Sequence, residues 1–336
     1  MKHKKNIIWR TALLLMALAI FTTSVAFGGT QAKYAQYLGA KGTFEVFHFR
    51  SYTHTDATHS NTTHDCPSAP AGEWAFFARG REGRDQTGGA PGIFCGLYKK
   101  TSGGYFTMGT GKGGERQTSS GGSGGNSAYI LDELSAPPTT AGDTSRIVVA
   151  AGGGGGRGPT NNQRGGDAGG SNGSRAYTVH NGDNGYFAAY QANQSGTTGQ
   201  TQTTANGSRA SGGGGGVNQG GDRGSNWGSS SGGNGGWFSA GNGENYTVFG
   251  IQYTTGGGGE GIWGGGGGSA RTGTTDASRS GGGGGGASYS AAVGAVPAAV
   301  TAPTTYREAA IKYFWELVGN SGAGSDGHMV LVWLGP

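Results

Sequence analysis

Three histidines form the one concentrated set of side chains in this sequence that could bind a metal. His54, His59 and His64 recur every five residues in a polar, threonine-rich stretch, with Asp56 and Asp65 beside them. Imidazole and carboxylate groups bind Zn²⁺ or Cu²⁺ when a loop brings them together. The spacing matches no strong zinc motif, and polar loops of this kind are usually solvated. We therefore name the three histidines as metal candidates, and we expect neither a resident metal nor a cofactor.

The chain has two cysteines, Cys66 and Cys95. In an oxidising compartment a lone pair of cysteines usually forms a disulfide, so we predict a Cys66–Cys95 bond. The alternative is two buried thiols.

Catalytic patterns are weak throughout the chain. Ser123 and Ser230 both lie in G-x-S-x-G patterns, but in a chain so rich in glycine and serine these patterns arise by composition. Glu244 and Glu260 are acidic candidates for a hydrolase of envelope polymers, yet no spacing pairs them with a partner. We expect no catalytic residues and no enzyme activity.

The N-terminus is typical of an export signal. Lys2, Lys4, Lys5 and Arg10 form a basic head, and the segment Thr11 to Ala32 that follows carries no charge. We predict a signal peptide over residues 1–32. The alternative is an uncleaved membrane anchor, because about 20 apolar residues can span a bilayer. In both cases the remainder is exported, to be secreted or held at the cell surface, and meets the membrane only through this segment.

The charge balance argues against nucleic acid as a partner. The chain has 24 Lys and Arg against 19 Asp and Glu, and the N-terminal head holds four of the basic residues. The exported part is then nearly neutral, so it lacks the basic surface that phosphate recognition needs.

Glycine runs dominate the middle of the chain, which has 77 glycines and only 9 prolines. A glycine run has no side chains for a core, so it stays a flexible spacer or packs backbone against backbone. Tyrosine, phenylalanine and tryptophan between the runs favour packing, in an extended threefold conformation whose amides bond between segments. The runs are Gly152–Gly156, Gly212–Gly216, Gly256–Gly259, Gly264–Gly268 and Gly281–Gly286. The glycines that we expect to matter most to this scaffold are Gly152, Gly154, Gly214, Gly258, Gly266 and Gly283.

The segments outside the runs predict a mainly β fold, a sandwich or jelly roll with an inserted polyglycine II bundle and little helix. Residues 51–70 are expected to form a polar loop, and 94–100 with 105–108 a hairpin. One short helix is predicted over 306–318. The other predicted strands cover residues 43–50, 73–79, 127–131, 146–151 and 328–334.

Several motifs resemble the glycine-rich extracellular domain of the anaplastic lymphoma kinase and leukocyte tyrosine kinase receptors, which also occurs in bacterial surface proteins. The stretches Gly72 to Gly80 and Gly88 to Tyr98 resemble its opening. Arg146-Ile-Val-Val-Ala-Ala-Gly-Gly-Gly-Gly-Gly156 is the most specific segment, and the later blocks extend the likeness to about residue 290. This chain carries no kinase domain, so receptor signalling is not implied.

The resemblance implies a sandwich of tumour-necrosis-factor-like character and a role in binding extracellular proteins. We predict a connector over 33–71, a glycine-rich domain over 72–290 and a closing segment over 291–336. The expected function is a non-enzymatic scaffold whose loops bind an extracellular protein or glycan. The alternatives are a structural or assembly protein of a surface fibre, for which oligomers are possible, and an envelope-polymer hydrolase.

Overall fold

A computed structural model describes residues 30–38, 44–56, 62–84, 88–114, 121–133, 136–159, 164–169, 220, 223, 233–269, 281–319 and 327–336. Most of the predicted signal peptide or anchor, the run Gly212–Gly216 and His59 lie outside these residues. Across the described ranges, no helix has the length and apolar character needed to cross a membrane.

The fold is mainly β, as the sequence predicts. In chain order the strands are β1 (Thr30–Leu38), β2 (Phe44–Asp56), β3 (Thr62–Ala69), β4 (Gly72–Arg79), β5 (Ile93–Lys100), β6 (Gly104–Thr110), β7 (Ala128–Leu131), β8 (Ile147–Ala151), β9 (Asn245–Val248), β10 (Ile251–Thr254), β11 (Tyr289–Ser290) and β12 (Gly327–Gly335). The helix α1 (Tyr306–Gly319) lies between β11 and β12.

The first sheet has the order β1-β2-β12-β4-β5, with antiparallel neighbours throughout. Its central strand β12 is apolar on both faces because both are covered. Met329 and Leu331 belong to a cluster shared with the second sheet, whereas Val330 and Val332 face the cluster that contains α1. The C-terminal strand therefore lies between β2 and β4, at the centre of the sheet.

Helix α1 begins with a capping box, the reciprocal pattern in which a threonine and a glutamate three residues later satisfy the first amides. The Thr305 N–H donates to Glu308 Oε2 at 3.2 Å, and the Glu308 N–H donates to Thr305 Oγ1 at 3.3 Å. The helix packs on the first sheet, where Tyr313 stacks on Phe49 with ring centroids 5.1 Å apart. The predicted helix is confirmed.

The second sheet has the order β11-β8-β7-β6-β3, and a separate two-stranded hairpin pairs β9 with β10. Both large sheets contribute side chains to one buried cluster. At its centre Trp74 of the first sheet meets Phe106 of the second edge-on, with ring centroids 5.0 Å apart. The outer face of the second sheet holds Tyr129 and Ile147 against Ile262 from the glycine region.

Two sequence predictions about this region are wrong. The predicted loop over 51–70 is mostly strand, because β2 continues to Asp56 beside β12 and β3 pairs with β6. The predicted hairpin of β5 and β6 does not form, because β5 pairs with β4 and β6 pairs with β3 and β7. The chain instead passes from one sheet to the other between Lys100 and Gly104.

Candidate functional site

The first glycine run is surrounded by other backbone segments, and its hydrogen bonds repeat every three residues. The N–H groups of Gly153 and Gly156 both donate to one segment, to Glu260 O and Gly257 O, each at 2.7 Å. The Gly154 N–H donates in a second direction, to Arg81 O at 3.0 Å. A third direction follows at Gly155, whose N–H donates to Gly166 O at 2.8 Å.

The carbonyl groups of this run follow the same repeat. Carbonyls three residues apart accept from the same neighbouring segment. Gly152 O accepts from Gly92 and Gly155 O from Gly89; Gly153 O accepts from Gly286 and Gly156 O from Gly283. Gly154 O accepts from Gly125 and Arg157 O from Gly122. Six segments therefore surround the run, at residues 80–84, 89–92, 122–125, 165–169, 256–260 and 283–286. Every backbone N–H and C=O group of this buried run therefore has a hydrogen-bond partner, as buried backbone requires.

The run Gly256–Gly259 bonds to its neighbours with the same three-residue repeat. The Gly256 N–H donates to Gly281 O and the Gly259 N–H to Gly284 O. The Gly257 N–H donates to Gly122 O and the Glu260 N–H to Gly125 O. On the acceptor side, Gly256 O accepts from Gly268 and Gly259 O from Gly265. The predicted scaffold glycines in the described part of the chain take part in this network: Gly152, Gly154, Gly258, Gly266 and Gly283. Gly214 lies outside the described residues.

The segments approach one another so closely that side chains are excluded. A Cβ at Gly154 would lie 1.8 Å from Gly89 O, and a Cβ at Gly258 would lie 2.0 Å from Gly265 O. These are backbone atoms of neighbouring segments, which cannot rotate away as a side chain could. Only glycine therefore fits at these positions, because any side chain would overlap the backbone of a neighbouring segment.

Glu260 marks the boundary between the glycine segments and the second sheet. Its carboxylate is buried and accepts hydrogen bonds from the backbone N–H groups of Ser127, at 3.1 Å, and Lys112. Gly111 lies against it, since a Cβ there would be 1.7 Å from Oε2. Burial raises the pKa of Glu260 to about 7, although the N–H donors oppose this shift. Tyr129 is nearby, and its pKa is raised by burial and by the charge of Glu260.

Glu244, the other acidic candidate, is also buried, at the base of the β9–β10 hairpin. Its backbone N–H donates to Thr255 Oγ1 at 2.6 Å, and its carbonyl accepts from the Thr255 N–H at 2.9 Å. Both carboxylates therefore lie within packed backbone.

The histidine candidates come together only in part. His54 on β2 and His64 on β3 have ring centroids 4.0 Å apart, and His59 lies outside the described residues. Within the described ranges no group of three His, Cys, Asp or Glu side chains is placed to hold a metal ion.

The predicted disulfide is wrong, because Cys66 and Cys95 are both thiols in the structure. Cys66 belongs to the cluster between the two large sheets, whereas Cys95 packs in the cluster between the first sheet and α1. The first sheet thus separates the two sulfur atoms. Burial, reinforced by the charge of Asp65, raises the pKa of the Cys66 thiol to about 12.

A buried charged cluster that the sequence analysis missed joins the two large sheets. Lys100 Nζ contacts Asp132 Oδ1, donates to Tyr105 O at 3.0 Å, and lies 4.5 Å from the centre of the Phe106 ring. The Tyr98 hydroxyl donates to Asp132 Oδ2 at 2.6 Å. Burial and this bond raise the pKa of Tyr98. The lysine at the end of an apolar strand was the available signal, but its partner is 32 residues away in the sequence.

The β9–β10 hairpin carries two exposed large apolar side chains, one of which, Phe249, is the most exposed among the described residues. Phe249 is 79% exposed and Ile251 is 58% exposed. The turn is a tight two-residue one, since Phe249 and Gly250 have φ values of +49° and +80°. Behind the turn Tyr246 stacks on Tyr253 across the strands, with ring centroids 5.6 Å apart.

The hairpin lies at the end of the glycine segments that is farther from the sheets. The 256–260 segment runs from Gly256, next to the hairpin, to Glu260, which contacts the start of β7. Both hairpin strands therefore continue directly into backbone that neighbouring segments hold. A scan against protein-family models and a search of curated proteins find no match to this chain.

Proposed function

We propose that this chain is a non-enzymatic exported or cell-surface protein whose glycine segments form a rigid polyglycine II bundle. The bundle stands on two large sheets arranged as a sandwich of the jelly-roll, tumour-necrosis-factor-like type. It displays the β9–β10 hairpin and neighbouring loops to an extracellular partner. The observation that carries this proposal is the three-residue repeat of hydrogen bonds around Gly152–Gly156.

The repeat supports polyglycine II specifically. In that conformation successive residues point their amides about one third of a turn apart, at roughly 3.1 Å of rise per residue. A rod can then bond to six neighbours, and six segments surround the first run. A flexible spacer would leave these amides to water.

Rigidity at the base of the hairpin supports a display function. The base is closed by two hydrogen bonds, from the Thr255 N–H to Glu244 O and from the Glu244 N–H to Thr255 Oγ1, and Thr255 Oγ1 also donates to Gly268 O at 2.6 Å. Holding a loop in its bound conformation lowers the entropy lost on binding. The exposed Phe249 tip is the kind of aromatic anchor that dominates binding energies.

Two features support a non-enzymatic role. The carboxylate of Glu260 faces backbone N–H groups rather than a cleft, and Glu244 is buried at the hairpin base. Glu260 is better placed to satisfy backbone donors, and Glu244 to fill packed structure, than to act on a polymer. The uncharged N-terminal segment supports export.

The proposal is tested by locating the protein and then screening its binding. Cell fractionation of the full-length protein should recover it outside the cytoplasm, and recovery from the cytosol alone would overturn the proposal. The exported protein is then screened on glycan and protein arrays. Loss of the binding signal in Phe249→Ser would assign the partner to the hairpin tip. Retention of the signal in this variant and in Val293→Ser, which changes a 65% exposed apolar residue outside the hairpin, would assign it to the neighbouring loops. Filaments in negative-stain images would favour the alternative of a fibre protein.

A further inference from the structure

The β9–β10 hairpin carries no formal charge. From Asn245 to Gly259 the sequence contains no Asp, Glu, Lys or Arg. A single charged residue at the centre of a bilayer costs about 2.5–3.5 kcal/mol on insertion scales, so a segment that enters lipid must lack charge at its tip. The hairpin meets that requirement along its whole length.

The two faces of the hairpin differ in polarity. The register pairs Tyr246 with Tyr253, whereas Thr247 pairs with Gln252. Since side chains alternate along a strand, Ile251 shares the face of the tyrosines, and the threonine and glutamine share the other. One face is thus aromatic and aliphatic, and the other is polar.

Polarity also changes along the hairpin. Phe249 and Ile251, which are both exposed, lie at the tip, and the stacked Tyr246 and Tyr253 lie behind them. Tyrosine favours the boundary between hydrocarbon and water because its ring is apolar and its hydroxyl is polar. An apolar tip followed by tyrosines matches a lipid interface, where the tip would meet hydrocarbon and the tyrosines would lie at the boundary with water.

The base of the hairpin lies next to basic residues. Gly121 approaches Thr254, since a Cβ on this glycine would lie 2.2 Å from the Thr254 carbonyl oxygen. The adjacent Gly122 donates to Arg157 O at 2.9 Å, and the Arg84 N–H donates to Ser123 O at 2.9 Å. The backbones of two arginines, Arg84 and Arg157, therefore lie near the base of the hairpin. Glu244, the acidic residue at the hairpin base, is buried.

The same geometry is less suited to other partners. A sugar-binding site combines an aromatic face with nearby hydrogen-bonding side chains, but Thr247 and Gln252 lie on the face opposite the tyrosines. A stable protein interface usually needs about 800 Å² from each partner, and a two-stranded hairpin with two exposed apolar side chains is small for that purpose. A lipid surface requires neither polar groups beside the rings nor a large area.

We infer that the tip of this hairpin inserts Phe249 and Ile251 into the interface of a lipid bilayer. The inference rests on the proposed display function and names the surface that the hairpin meets. It replaces the expectation from the sequence that only the N-terminal segment meets the membrane. Two buried apolar side chains give only a weak, reversible contact, since stable membrane attachment takes two signals. The N-terminal segment, if it is retained as an anchor, supplies the second.

The decisive experiment places a reporter at the tip of the full-length protein. Phe249→Trp is compared with Thr247→Trp, which puts the same indole on the polar face. Each is mixed with phosphatidylcholine vesicles containing a minority of phosphatidylglycerol and acyl chains labelled with bromine, which quenches tryptophan on contact. The unaltered chain, with seven native tryptophans, supplies the baseline.

We expect quenching above the baseline for Phe249→Trp and none for Thr247→Trp. This readout reports the tip whether or not the N-terminal segment is also in the bilayer. In protein recovered without that segment, Phe249→Ser should lower vesicle binding about tenfold or more. Equal quenching of the two tryptophan variants would overturn the inference. So would a dimer, measured by light scattering, that Phe249→Ser converts to monomer, since a second copy would then cover the tip. Either result leaves export and array binding as separate tests of the proposed function.

Discussion

The carboxylate of Glu260 accepts a hydrogen bond from the backbone N–H of Ser127 at 3.1 Å, and this contact joins a glycine run to the start of strand β7. The same residue continues the backbone network, since its own N–H donates to Gly125 O and its carbonyl accepts from Gly153. One side chain therefore closes the junction between the glycine segments and the second sheet.

Glu260 should make stability depend on pH. Its pKa in the folded protein is about 7, above the ordinary value of 4.5. Between these values the folded chain keeps a proton that the unfolded chain has lost, so stability is highest below about pH 4.5 and falls as the pH rises through 7. The loss should amount to roughly 3 kcal/mol. In Glu260→Gln this fall should disappear, as measured by urea unfolding at several pH values. An unchanged slope would contradict the assignment.

His328 should act in the opposite direction. Burial, assisted by Arg79, lowers its pKa from 6.5 to about 4. Its contribution to stability is present above about pH 6.5 and is lost as the pH falls through 4, because the unfolded chain binds the proton first. His328→Gln should remove this acid-side loss in the same unfolding series. If His328→Gln still loses stability at acid pH, another group is responsible for that loss.

Gly154→Ala should destabilise the protein strongly. Its Cβ would lie 1.8 Å from Gly89 O, so two segments must separate and lose their bonds. We expect a cost of about 3 kcal/mol or more in the free energy of unfolding. The control is Gly104→Ala, at a glycine with nothing within 4 Å of the added Cβ. Equal melting temperatures for the two variants would contradict the packed arrangement.

Removing one partner of the Lys100–Asp132 pair should cost more than removing both. Lys100 is only 4% exposed, so Asp132→Leu leaves a buried ammonium without its counter-charge, at about 3–5 kcal/mol. The double variant Lys100→Met with Asp132→Leu should recover much of this loss. Chemical unfolding of the two single variants and the double variant measures the coupling. Additive effects would mean that the pair does not interact.

Reductant should not change the stability of this protein. Cys66 and Cys95 lie on opposite sides of the first sheet, so both should react with a thiol reagent once the chain unfolds. Thermal melting with and without dithiothreitol should coincide. A lower melting temperature in reductant would restore the disulfide prediction.

Local patterns in the sequence accounted for much of the secondary structure. The helix follows from apolar spacing and from Thr305 and Glu308, which form its capping box. The alternating faces of β12 follow from its continuous apolar run. The hairpin tip was visible as an aromatic–glycine pair between apolar residues, although no hairpin was predicted there. These features depend on neighbours a few residues apart, which is why the sequence reports them.

Pairing between distant segments could not be read in the same way. Glycine runs carry no side chains, so the sequence does not indicate that Gly153 bonds to Glu260 rather than to a residue of another segment. The change of sheet after Lys100, the separation of Cys66 from Cys95, and the burial of Glu260 all depend on which strands become neighbours. The composition required that the glycine backbones find partners or remain solvated. The tertiary structure decided which partners they have, because only close approach in space matches each amide to its acceptor.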